Sequence, residues 1–136
     1  MAYNLERFRI AHGESYETAL QEIREGRKQS HWMWYIFPQL QGLGHSTMAM
    51  HYEIKNRGEA VEYWNDPMLR SHMLEICGEL LKLNSSIIWI MGYTDHLKLR
   101  SCMTLFWLVT GEKLFMDVLD RFYGGALDEY TRKKLQ

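Results

Sequence analysis

Two stretches of this chain concentrate the side chains that could do chemistry. The first, Ser30-His31-Trp32-Met33-Trp34-Tyr35-Ile36-Phe37-Pro38-Gln39, leads a Ser-His pair straight into two Trp, a Tyr and a Phe. Trp and Tyr offer a flat apolar face with one polar handle, which suits stacking on a base or another planar ligand. His31 is the candidate general acid or base, because an imidazole titrates near neutrality. The competing reading is a buried aromatic helix, since large aromatics are mostly used for packing.

The second stretch is Asp95–Thr104. Lys98 and Ser101 stand three apart and share a helix face. Lys98 and Arg100 fall in the first two turns of the expected helix, where cations oppose the positive end of the helix dipole. Either Asp95 neutralises them, or an anion does, with helix-end N–H groups, Lys98 and Ser101 facing a phosphate or carboxylate.

Other chemistries lack a signature. His12, His31, His45, His51, His72 and His96 are scattered without an HxxxH pair or a matching Cys spacing, so no metal site is expected. No Walker loop, dinucleotide fingerprint or GxSxG elbow occurs, and Gly42-Leu43-Gly44 is too short to count as one. No cofactor is called for, and no motif assigns a reaction.

The elements that must position these residues read as helices with sharp punctuation. Asn4 is expected to cap a helix through Ala11 that Gly13 ends, and Ser15 a second one closed by Gly26. His31–Phe37 lacks polar alternation and has no second strand to pair with, so it reads as a short buried helix stopped by Pro38. Ser46 caps a helix through Ile54, and Glu59–Trp64 forms a short one. Asp66-Pro67, a capping residue followed by Pro at the first helical position, is the clearest helix start. That helix runs to about Leu83. Ile87–Met91 is one turn, Thr94 or Asp95 opens a helix to about Val109, Glu112–Phe122 is another, and Asp128–Leu135 is the last. No heptad persists long enough for a coiled coil. The expected fold is all-α: a single domain over residues 1–136 of short, orthogonally packed helices, with a cleft between them.

Composition agrees. The 136 residues are 46% hydrophobic, 24% charged and 13% aromatic, enough for one core without staples. A net charge of −1 argues against a dedicated nucleic-acid or membrane surface. Arg132-Lys133-Lys134 reads as a solvated helix end. Cys77 and Cys102 lie in apolar helical patterns and are expected to be reduced and at least partly buried. The first residues show no apolar signal core and no apolar run spans a bilayer, so the expected address is the cytoplasm.

The strings Ser30–Leu40, Gly42-Leu43-Gly44-His45-Ser46 and Leu97–Phe106 resemble the hallmark of domain-of-unknown-function family 1810. Leu5-Glu6-Arg7-Phe8, Tyr16-Glu17-Thr18-Ala19-Leu20, Val118-Leu119-Asp120 and Asp128 match it in order and spacing. The resemblance implies a mainly helical single domain and no settled activity. His12 stands where the pattern has Gln after Ala11, and the loop before Gly92 is short against it, which would alter one cleft wall. Some members are labelled calpastatin, yet calpastatin-type inhibitors are disordered and polar, whereas this composition is that of a packed globule. A fold-level analogy to the helical ADP-ribose-processing family NADAR suggests Trp, His and Lys around a cleft.

The leading functional expectation is therefore an anionic, partly planar small molecule, such as a nucleotide or an ADP-ribose-like compound. Trp32 or Trp34 would stack, Lys98 and Arg100 would meet charge, and Gln39 or Ser101 would orient polar groups. His31 would be the acid–base group and would meet Lys98 across the cleft. The alternative is a protein-interaction module or homo-oligomer without a catalytic site.

Overall fold

The computed structural model describes residues 3–136. Met1 and Ala2, which open the stretch read for a signal core, lie outside the described residues. The helices are α1 (Glu6–Arg24), α2 (Met33–Ile36), α3 (Thr47–Tyr52), α4 (Arg57–Asn65), α5 (Pro67–Leu80), α6 (Ile87–Met91), α7 (Tyr93–Thr110), α8 (Lys113–Tyr123) and α9 (Glu129–Lys134). Among the described residues there is no strand. A single parallel bridge joins Leu40 to Ile54. No helix among the described residues is long and apolar enough to cross a membrane.

Most boundaries follow their caps. The side chains of Ser46, Asn56, Ser86 and Asp128 each accept a backbone N–H three residues on, and Asp66 accepts those of Met68 and Leu69 with Pro67 at the first helical position. α7 starts at Tyr93, just before the expected Thr94 or Asp95, because Gly92 makes the turn at φ 87° that a side chain would resist.

The expected break at Gly13 does not occur, and Ser15 caps nothing. α1 passes through both without interruption. Gly in a helix interior costs only about 1 kcal/mol against Ala. The stripe Phe8, Ala11-His12, Tyr16, Ala19-Leu20 and Ile23 keeps its three- and four-residue spacing across Gly13, and every member is buried. Burying such a stripe outweighs one glycine, at roughly 1.5–3 kcal/mol for each large side chain. Ser15 instead receives a 2.9 Å hydrogen bond from the Tyr35 hydroxyl.

α1 packs on α2 and α5, while α7 packs on α4, α6, α8 and α9. A chain of rings joins the two groups: Phe8 meets Tyr63 edge-on with centroids 5.0 Å apart, Tyr63 meets Phe106 at 5.3 Å, and Phe106 meets Phe115 at 5.8 Å. Each such pair adds about 0.5–1.5 kcal/mol beyond the area it buries. Cys77 and Cys102 are buried and unpaired, and burial pushes both thiols up.

The segment between α1 and α2 is fixed by one carboxylate. Glu22 accepts from the N–H groups of Gln29 (2.8 Å) and Ser30 (2.9 Å), from the Ser30 hydroxyl, and from the Trp32 indole (2.8 Å). Burial pushes this carboxyl up, but the bonds from Ser30, Gln29 and Trp32 outweigh it and hold the group below its ordinary value.

His12 has a polar partner on each ring nitrogen. Its Nε2 lies 2.9 Å from the Tyr35 carbonyl, which can only accept, so Nε2 carries the proton. Nδ1 is then the acceptor in the 2.9 Å contact with His72 Nδ1, and His72 donates. His72 in turn stacks on Tyr16 at 3.6 Å, and Tyr16 donates to Glu75. A charged His12 would carry a second proton at Nδ1, and His72 would have to change tautomer to accept it. Burial chiefly, with the His72 charge, lowers His12 to about 4, although the Tyr35 bond and Asp66 pull the other way.

Two outcomes are expected. His12 is neutral in the fold but charges in the unfolded chain, so its share of stability is complete above about pH 6.5 and is lost as pH falls toward 4. His12→Gln can keep both hydrogen bonds without a titrating group. Its melting temperature should match the parent at pH 7.5 and exceed it at pH 5, with Glu22 and Asp66 still giving an acid limb below about pH 4.5; equal pH profiles would refute the assignment. Glu22→Ala should cost about 3 kcal/mol in urea unfolding, because the Trp32 indole and two N–H groups lose their acceptor.

Candidate functional site

Gln39, Leu43, Thr94, Leu97, Lys98, Arg100, Ser101 and Asp128 line a groove of about 300 Å³. One wall is the first two turns of α7, and the other is the loop after α2. That loop is pinned from two sides. Gln41 N–H donates to the Ile54 carbonyl at 2.8 Å and Ile54 N–H to the Gln39 carbonyl at 2.9 Å. The Tyr130 hydroxyl donates to the Gln41 carbonyl at 3.0 Å. Gly42 is required there: its φ is 103°, and a Cβ would fall 2.0 Å from the Tyr130 oxygen.

Of the residues singled out from the sequence, Gln39, Lys98, Arg100 and Ser101 come together in this groove. Trp34 does not line this groove but lies beside Lys98. It is half-buried, and the Lys98 ammonium lies 5.7 Å over its ring. Trp34, Gln39 and Lys98 also line a cavity of about 10 Å³ with Met33, Phe37, Ala49, Tyr52 and Glu53, barely the room of one water.

Two of the expected residues lie elsewhere. Trp32 is 1% exposed, and its indole is committed to Glu22, so it has no face to offer a ligand. The core-filling reading describes Trp32, and the cleft reading is left with Trp34. His31 is exposed and lines neither cavity, so the expected meeting with Lys98 across the cleft is not formed.

Charge in the groove is unevenly answered. Asp95 takes Lys28 at 2.8 Å through one oxygen and Lys98 at 3.2 Å through the other. The carboxylate that opposes the helix-end cations is thus shared between two ammonium groups. Arg100 has no carboxylate within ion-pair distance among the described residues, and its Nε is buried without a hydrogen-bond partner. An unmet buried donor costs about 1–3 kcal/mol, more when charged. Its field reaches His96 on the next turn, where burial first and Arg100 second hold the imidazole below its ordinary value. The Ser101 hydroxyl donates to the Leu97 carbonyl at 3.1 Å, so toward the groove it can only accept.

The groove also contains Asp128, which the sequence marks only as a helix start, its capping role concealing any other. Among the described residues no three His, Cys, Asp or Glu side chains gather as metal ligands. What the arrangement can do is hold an anion against Lys98 and Arg100 while an apolar moiety lies on Leu43 and Leu97.

Comparison with known proteins gives the family but not a reaction. A search of curated proteins found no match. The crystal structure of the conserved hypothetical protein Rv1873 from Mycobacterium tuberculosis is similar over 98% of this chain and 96% of that one, with 39% identity and a TM-score of 0.96. The family model described as "Protein of unknown function (DUF1810)" matches residues 2–135, and the chain belongs to that family.

Proposed function

We propose that the groove between α7 and the loop after α2 binds an anionic, partly planar small molecule of the nucleotide or ADP-ribose kind. The observation that carries this reading is Arg100: a guanidinium with no carboxylate partner among the described residues, beside a Lys98 that shares its carboxylate with Lys28, in a groove of about 300 Å³. An anion in that groove would balance the two cations. Lys98 and Arg100 meet the charge, Gln39 and Ser101 orient polar groups, and Trp34 flanks the planar part. His31 stands outside the groove, so the reading is one of binding, with no acid–base step assigned to it.

A second reading rests on Ile88, Trp89 and Tyr93, which are 49%, 56% and 67% exposed around the start of α7. Such a patch suits contact with another protein. Trp89→Ser separates the two readings, because it would weaken association in sedimentation while leaving the groove intact.

A thermal-shift screen against nucleotides and nucleotide-sugars tests the first reading. A ligand at a hundred times its Kd adds about 2.7 kcal/mol to the folded state, a shift of several degrees. Lys98→Ala and Arg100→Ala should each lose most of that shift while the melting temperatures of the free variants stay near the parent's. Parent-like binding by both variants, or no hit in the screen, overturns the proposal.

A further inference from the structure

We infer that Asp128 sets the ligand specificity of this groove, selecting an anion that also carries a vicinal diol, as a ribose phosphate does, over a bare anion. The inference rests on the binding reading above and extends it to the substrate class.

Asp128 lines the groove and is held between α7 and α9. Its N–H donates to Thr104 Oγ1 at 2.9 Å, and the Thr104 hydroxyl donates to the Arg100 carbonyl at 2.8 Å. This ties the residue to α7 one turn beyond Arg100. Its Oδ2 accepts from the Thr131 N–H at 3.0 Å and the Thr131 hydroxyl at 2.6 Å. Thr131 is fully buried, so that half of the carboxylate is committed to capping α9. Oδ1 has no hydrogen-bond or ion-pair partner among the described residues, although Lys98 and Arg100 line the same groove.

A free carboxylate oxygen in an anion site works against a simple anion. Phosphate alone would gain from Lys98 and Arg100 but be repelled by Asp128. The balance changes if the ligand brings donors of its own. One carboxylate oxygen has two lone-pair sites, enough for both hydroxyls of a vicinal diol. Bonds to a charged acceptor are also stronger than neutral ones. An ammonium donor fits less well, because it would face Lys98 and Arg100 across the same space. The site thus asks for negative charge at one end and neutral hydroxyl donors near it, with Leu43 and Leu97 left for an apolar part.

The test compares AMP, 2′,3′-dideoxy-AMP and inorganic phosphate by calorimetry on the parent, Asp128→Asn and Arg100→Ala. Asn is as good a helix cap as Asp, so Asp128→Asn should retain the bond to the Thr131 N–H and melt near the parent. The parent is expected to bind AMP about tenfold more tightly than the dideoxy compound. Asp128→Asn should erase that preference and bind phosphate more tightly than the parent does. Equal affinity of the parent for AMP and dideoxy-AMP, with both lost in Arg100→Ala, overturns the role of Asp128 and leaves the anion site standing. An unchanged preference in Asp128→Asn also overturns it. Binding of neither nucleotide overturns both readings together.

Discussion

The carboxylate of Glu22 is the constraint on which the rest of the site depends. The segment after α1 must reverse direction and then bury Trp32, which brings an indole N–H into the interior and two backbone N–H groups to its partly buried edge. Glu22 accepts all of them, and the Ser30 hydroxyl as well. Without that acceptor the desolvation of three donors would oppose the burial of the indole. With it, Trp32 is locked, and α2 begins at a fixed place and angle. Trp34, two residues on, is thereby turned toward Lys98, and Gln39 arrives at the groove.

The groove loop itself is referred to the same helix by a second buried group. Arg7 pairs with Glu59 at 2.9 Å and donates to the carbonyls of His51 and Glu53 at 2.9 and 2.8 Å. Glu59 also accepts the Lys55 N–H at 2.8 Å. An ion pair this deep is weak evidence for stability, because desolvating both charges offsets most of their attraction. Its directional bonds matter more here: they fix residues 51–59 against α1. Ile54 then bridges to Leu40 and holds the groove loop. Both the aromatic segment and the loop therefore take their positions from α1, and a helix broken at Gly13 could not have positioned them together.

Much of this was legible in the sequence where the signal was local. Asp66-Pro67 marks its helix because a cap and a fixed φ act within a few residues. The run from His31 to Phe37 reads as a short buried helix because it lacks alternation and a partner, and its middle, Met33–Ile36, is helical. Gly13 does not break its helix because the unbroken spacing of buried residues from Phe8 to Ile23 is the stronger signal. Residue type could not separate Trp32 from Trp34. The difference lies in the partner each ring finds, Glu22 ten residues back or Lys98 far along the chain, and such pairings are tertiary. Asp128 hid behind its cap, since one oxygen performs the visible structural task and leaves the other unaccounted for. His12 gave no local sign of its pairing, because Tyr35 and His72 reach it from 23 and 60 residues along the chain.

The two lysines show how the fold leaves charge available instead of cancelling it. Lys28 lies 5.1 Å over the Trp32 ring, Lys98 lies 5.7 Å over the Trp34 ring, and Asp95 bridges them. The buried aromatic and the groove aromatic thus carry matching cations joined through one carboxylate. A single carboxylate cannot neutralise two ammonium groups, and Lys28, with its side chain 8% exposed and the shorter contact, has the stronger claim on it. Lys98 is left partly answered and Arg100 unanswered, side by side in the groove. Selection for stability alone would tend to add a carboxylate there or replace the guanidinium by an apolar side chain, since an unmet buried donor only subtracts from the folded state. Retaining both cations is reasonable if a negatively charged group from outside the chain completes the set, and a groove open to solvent on the rigid face of α7 is where such a group would enter.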